Sequence, residues 1–193
     1  MLGANISNIS TGTILASGSG AHVVLNGAVI SGGKLQTQAG GEIDVINGLL
    51  SGATIASGSI VDINNNGTLA LSGRIANSGL ISALGSPFAT LSISGAVVLS
   101  GGGKVLLSPS GNNQIVAALG GGTLSNVNNT IAGAGFIGGN LALVNSGTIN
   151  ANTVSSTLQL NASTINAGKL EATASGGSSY WPPTSAIPAL ALF

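Results

Sequence analysis

Residues Ile30-Ser31-Gly32-Gly33-Lys34-Leu35 return as Leu50-Ser51-Gly52-Ala53-Thr54-Ile55, twenty positions on. The triplet Ile43-Asp44-Val45 returns as Val61-Asp62-Ile63, eighteen positions on. A unit this short cannot bury a core of its own, so its copies must stack and share one. That requirement limits the chain to a stacked repeat before any single residue is given a role.

The repeats are made of short alternations such as Leu69-Ala70-Leu71, Leu91-Ser92-Ile93, Leu141-Ala142-Leu143 and Leu158-Gln159-Leu160, bounded by Gly, Asn or Ser. Period two over three to five residues is strand patterning. No segment keeps a helical period over three turns, and 32 glycines in 193 residues make long helices costly. The chain reads as all-β. Copies return at spacings of 16 to 21: Leu141-Ala142-Leu143 as Leu158-Gln159-Leu160, and Asn145-Ser146-Gly147-Thr148-Ile149 as Asn161-Ala162-Ser163-Thr164-Ile165. A variant stands at Asn166-Ala167-Gly168-Lys169-Leu170. Such spacings predict coils of a single-stranded parallel β-helix, a β-solenoid, right-handed as crossovers between parallel strands are. At roughly 19 residues per coil and about 4.8 Å per rung, about nine coils make a rod of about 43 Å.

The repeat domain is expected over 1–175, with wider loops between Ala83 and Val127, where Gly101-Gly102-Gly103 and Gly120-Gly121-Gly122 fall. Residues 176–193 are expected to be a Gly/Ser/Pro-rich linker and apolar tail.

Charged residues are 4% of the chain and balance to +0. Lys34, Arg74, Lys104 and Lys169 are too few and too scattered to neutralise phosphates, so no nucleic-acid partner is expected. The chain has no Cys, hence no disulfide framework and no thiolate metal site. Apolar segments are broken every few residues by Gly, Ser or Asn, which argues against membrane insertion. The start, Met1-Leu2-Gly3-Ala4-Asn5, carries no basic and apolar signal-peptide pattern.

One acidic group stands out. With Ile43 and Val45 inward, Glu42 and Asp44 point outward, and the repeat places Asp62 one coil beyond Asp44. Stacked carboxylates repel, and favour a shared proton or a cation. If the chain is an enzyme, Asp44, Asp62 and Glu42 are its catalytic candidates, of the carboxylate type used on glycosides. The competing expectation is a solvated acidic patch on a weakly charged rod, and no cofactor or metal is expected. His22, the only histidine, reads as an outward or corner residue. Gly133-Ala134-Gly135-Phe136-Ile137-Gly138 matches a dinucleotide fingerprint by letter but lacks the surrounding βαβ unit. Thr11, Thr13, Thr37, Thr54 and Thr68 make no Thr-x-Thr ladder of the ice-binding kind. Tyr180 and Trp181 are expected to pack over the terminal coil, the alternative being a binding surface for a sugar face or a partner.

Asn129-Thr130-Ile131-Ala132-Gly133-Ala134-Gly135-Phe136-Ile137-Gly138-Gly139-Asn140-Leu141 resembles the N-T-I-x-G-x-G-x-I-G repeats of large bacterial surface proteins. The segment from Val29 to Ile63 is similar to passenger repeats of autotransporter adhesins. The resemblance spans roughly residues 5 to 175 and implies a secreted β-helix at the bacterial outer surface, of the autotransporter or filamentous-haemagglutinin kind. It implies type V secretion, a virulence context, and host-cell or matrix glycans and proteins, or further copies of itself, as partners. On this reading the chain is a non-catalytic adhesin passenger or stalk with weak multivalent binding. A carbohydrate-active β-helix enzyme and a fibre-forming solenoid are the alternatives.

Overall fold

The computed structural model describes residues 1–9, 11–109, 112–174 and 178–180, the last three as backbone only. It is a parallel β-solenoid of about 8 turns, built from strands with no helix among the described residues. Every strand pairing is parallel, each coil lying on the one before.

The core is a set of inward columns. The longest runs Val23, Ile43, Val61, Ile81, Val105, Ile131, Ile149 and Leu170, one residue per coil, in register throughout. From Ile43 to Ile149 these side chains are fully buried. β-Branched residues suit such a column because they are stiff at χ1 and pack on a pleated surface. A second column, Leu69, Leu91, Ile115, Ile137 and Leu160, supports another face of the rod.

Both opening repeats are in register: Ile30 pairs with Leu50, Leu35 with Ile55, and Asp44 with Asp62. Most coils keep to the expected 16 to 21 residues, and those in the middle of the rod are longer, with Ile81 paired to Val105 and Val105 to Ile131. Paired positions lie 18 apart at Ile43 and Val61, and 27 apart at Ala96 and Thr123. The stack therefore has about 8 turns rather than nine. The extra residues sit at corners. In the strand Gln114–Asn126, register shifts between Ala117 and Gly122, and Leu119 there stands fully in solvent.

Two expected alignments fail. Leu158 pairs with Gly135, not with Leu141, and Asn145 pairs with Asn166, not with Asn161. A buried asparagine ladder explains the second. Asn126 Nδ2 donates to Asn145 Oδ1 at 2.8 Å, and Asn145 Nδ2 donates to Asn166 Oδ1 at 2.7 Å. Each amide has a donor end and an acceptor end, so stacked copies satisfy one another only in that register. Beside the ladder, Asn77 Nδ2 donates to Asn129 Oδ1 at 3.0 Å.

The strand Ser178–Tyr180 lies on Thr157–Leu160, with Gln159 opposite Tyr180. The remainder of the expected linker and tail, together with Trp181 and the Tyr180 side chain, lies outside the described residues.

Candidate functional site

Charge is concentrated on one face. The strands His22–Ser31, Glu42–Ser51, Ile60–Asn77 and Leu80–Ala83, with Lys104–Leu107, Thr130–Gly133, Thr148–Ala151 and Lys169–Ala172, stack as its rungs. Two outward columns flank the inward one. The first holds His22, Glu42, Lys104 and Lys169, and the second holds Asp44, Asp62, Ser82, Asn150 and Glu171. All four acidic residues, the only histidine and two of the four cations thus share a face.

The expected acidic group is assembled at one end of it. Asp44 and Asp62 are register partners, and both line a cleft of about 530 Å³ with Ile46, Asn64, Asn65 and Leu84. No aromatic ring lines this cleft. Asp44 points outward as expected, yet it is only 8% exposed, because its neighbours on both coils cover it.

His22 does more than the sequence suggested. It sits opposite Glu42 one coil back, and its Nδ1 lies 2.7 Å from Asp44 Oδ2 and 3.8 Å from Glu42 Oε2. The imidazole N–H offers Asp44 the donor that a nearly buried carboxylate requires. The signal available in the sequence was the twenty-residue offset between His22 and Glu42, the offset that also relates Ile30 to Leu50.

Asp62 is less well served. Burial pushes its carboxyl up from the ordinary 3.8, a hydrogen bond from Ser82 opposes this, and the carboxylates of Asp44 and Glu42 add to the rise. Ser82 is its neighbour one coil on. Asp62 Oδ1 and Asn64 Oδ1 are buried with no donor.

Two kinds of chemistry follow. Two carboxyls in register, one held toward its protonated form, have the composition of an acid/base pair. The donor atoms of His22, Glu42 and Asp44 also lie within 4.8 Å of one another, and an imidazole with two carboxylates is a ligand set that divalent transition metals accept. The 2.7 Å contact spends His22 Nδ1 on Asp44, so a metal would have to displace a proton there.

A second concavity lies on the face built over Leu91, Ile115, Ile137 and Leu160. It measures about 390 Å³ and is lined by Asn112, Asn113, Gln114, Gly135, Phe136 and Gln159, none of them charged. Comparison with protein-family models, with curated proteins and with solved structures finds no match.

Proposed function

We propose that the chain is a non-catalytic β-solenoid of the secreted, outer-surface kind, acting as an adhesive passenger or stalk that holds partners through many weak contacts. One observation carries this reading: the unbroken eight-rung column beneath outer faces that differ in chemistry while sharing one backbone lattice. Stacked coils repeat a surface at a fixed rise of about 4.8 Å, and repetition raises avidity without any strong single contact. Away from the charged face the surface carries Asn, Ser, Thr and Gly, suited to weak contacts with hydroxyl-bearing partners.

A second reading rests on its own observation, the pairing of Asp44 with a proton-retaining Asp62 in one cleft. Under it the chain would hydrolyse glycosides through those two carboxyls.

One experiment separates the two. The purified chain is passed over immobilised polysaccharides and, in parallel, incubated with the same polysaccharides in solution. Retention with no new reducing ends is the expected result. Reducing ends that appear with the native chain and vanish in Asp62→Asn and Asp44→Asn would replace the adhesive reading with the hydrolytic one.

A further inference from the structure

Among the described residues, the uncharged cleft holds one aromatic ring, that of Phe136. Phe136 is in register with Gln114 on the coil before and Gln159 on the coil after. Two positions along its own strand is Gly138, on the same side of the sheet. A Cβ on Gly138 would lie 2.5 Å from Phe136 Cζ and 2.9 Å from Cε1. The ring therefore leans along the strand and occupies the space that any side chain at Gly138 would need. A ring held this way lies along the strand and lines the cleft from beside the backbone. Gly138 is buried beneath it, while Phe136 itself stays partly exposed.

The flanking residues are amides. Gln159 is exposed, and Gln114 is partly buried and braced by its Nε2 donating to Thr90 Oγ1 at 3.1 Å. Asn112 and Asn113 close one side of the cleft. The outward column through this ring is uncharged along its course: Asn47, Thr68, Thr90, Gln114, Phe136, Gln159.

From this arrangement we infer that Phe136, Gln114 and Gln159 form a binding platform for a neutral saccharide. A pyranose presents a face of C–H bonds and a rim of hydroxyls. The C–H face stacks on an apolar ring, and amides supply both the donors and the acceptors that hydroxyls need. Three rungs span about 10 Å, a length that a disaccharide unit covers. The absence of a cation in the lining disfavours uronates and sulfated sugars, which would bury charge without a partner. The inference rests on the adhesive reading and gives it a place and a ligand class.

The test is a titration of the full chain with soluble neutral oligosaccharides of glucose, mannose, galactose and xylose, followed by NMR line broadening or calorimetry. Retention on the matching immobilised polysaccharides is measured beside it. Binding in the millimolar range is expected for at least one series. Phe136→Leu, which keeps apolar bulk over Gly138 but removes the π face, should weaken it about tenfold. Gln159→Ala, at an exposed position, should weaken it several-fold with the melting temperature unchanged. Gly138→Ala should weaken it by lifting the ring. Binding that is unchanged in Phe136→Leu and Gln159→Ala would overturn the platform and leave the adhesive reading in place, because retention would then arise elsewhere on the rod. No binding in any of the four series would overturn the platform as well. Binding at the platform combined with reducing-end release would keep the platform and remove the adhesive reading.

Discussion

Replacing Asn145 with Ala tests whether the asparagine ladder sets the register of the C-terminal coils. Asn145 is fully buried; it accepts from Asn126 Nδ2 at 2.8 Å and donates to Asn166 Oδ1 at 2.7 Å and to Gly147 O at 3.2 Å. Each of the two short amide bonds contributes about 1 kcal/mol net, and an orphaned, partly buried Asn166 Oδ1 costs about 1 kcal/mol more. Asn126 Nδ2 is spared the full penalty, because it also donates to Asn129 O at 3.0 Å. The sum is about 3 kcal/mol. Coils touch only their neighbours, so the loss should be local. Amide hydrogen exchange should accelerate about a hundredfold in the strands Leu141–Asn145 and Ser163–Asn166. Exchange around Ile30 and Leu50 should not change. Asn128→Ala is the control, since Asn128 is exposed and its Oδ1 accepts a single bond, from Gly102 N at 3.0 Å. If Asn145→Ala costs no more than this control, or if its effect spreads evenly along the rod, the ladder does not hold the register.

Three further outcomes are expected. Asp62 holds its proton more tightly folded than unfolded, so its contribution is whole below pH 3.8 and fades as the pH rises through the raised folded value. Asp62→Asn should therefore match the native chain in strong acid and exceed its stability at neutral pH; urea melts across that range would refute the assignment by showing the opposite slope. A Cβ on Gly133, whose φ is 113°, would overlap the Leu107 carbonyl oxygen of the neighbouring coil, while one on Gly102 would meet nothing within 4 Å. Gly133→Ala should thus cost well over the roughly 1 kcal/mol of backbone strain expected for Gly102→Ala, as paired denaturation curves would show. His22→Ala removes the donor to Asp44 Oδ2 and should cost about 1–3 kcal/mol by thermal melting, with partial recovery in His22→Gln.

The parts of this architecture that can be read from the chain are those in which polar and apolar residues repeat together. Ser31-Gly32 with Ser51-Gly52, and Asp44 with Asp62, carry a distinctive residue within the apolar pattern, and both alignments hold. Leu141-Ala142-Leu143 and Leu158-Gln159-Leu160 share nothing but alternation, which every face of a solenoid displays, and they occupy different faces. The Thr-Ile that Asn145-Ser146-Gly147-Thr148-Ile149 shares with Asn161-Ala162-Ser163-Thr164-Ile165 favours a match at 16 residues, although the copy at Asn166 keeps Gly168 in the place of Gly147. Coil length varies because corners absorb insertions such as Leu119-Gly120-Gly121 at little cost to the core. Contacts across coils were the hardest to see. His22 meets Asp44 at a separation of 22, and Phe136 meets Gln114 and Gln159 at 22 and 23, none of which a local window joins.

Once the register is known, the same lattice sorts the outer surface by chemistry. A residue two positions along a strand stays on its face, and a residue one coil away stays in its column, so a face accumulates one kind of side chain without disturbing the others. Here all four acidic residues, the histidine and two of the four cations collect over the column from Val23 to Leu170, while the column through Phe136 is neutral along its course. The two faces share a core but no side-chain contact links Asp62 to Phe136, and a rod with neighbour-only coupling has no means of transmitting one to the other. Substitutions at Asp44 or Asp62 should therefore leave saccharide binding at Phe136 unaltered, and substitutions at Phe136 should leave the titration of Asp62 unaltered. Coupling in either direction would mean that the coils move as a cooperative unit, contrary to the additive behaviour that this stacking predicts.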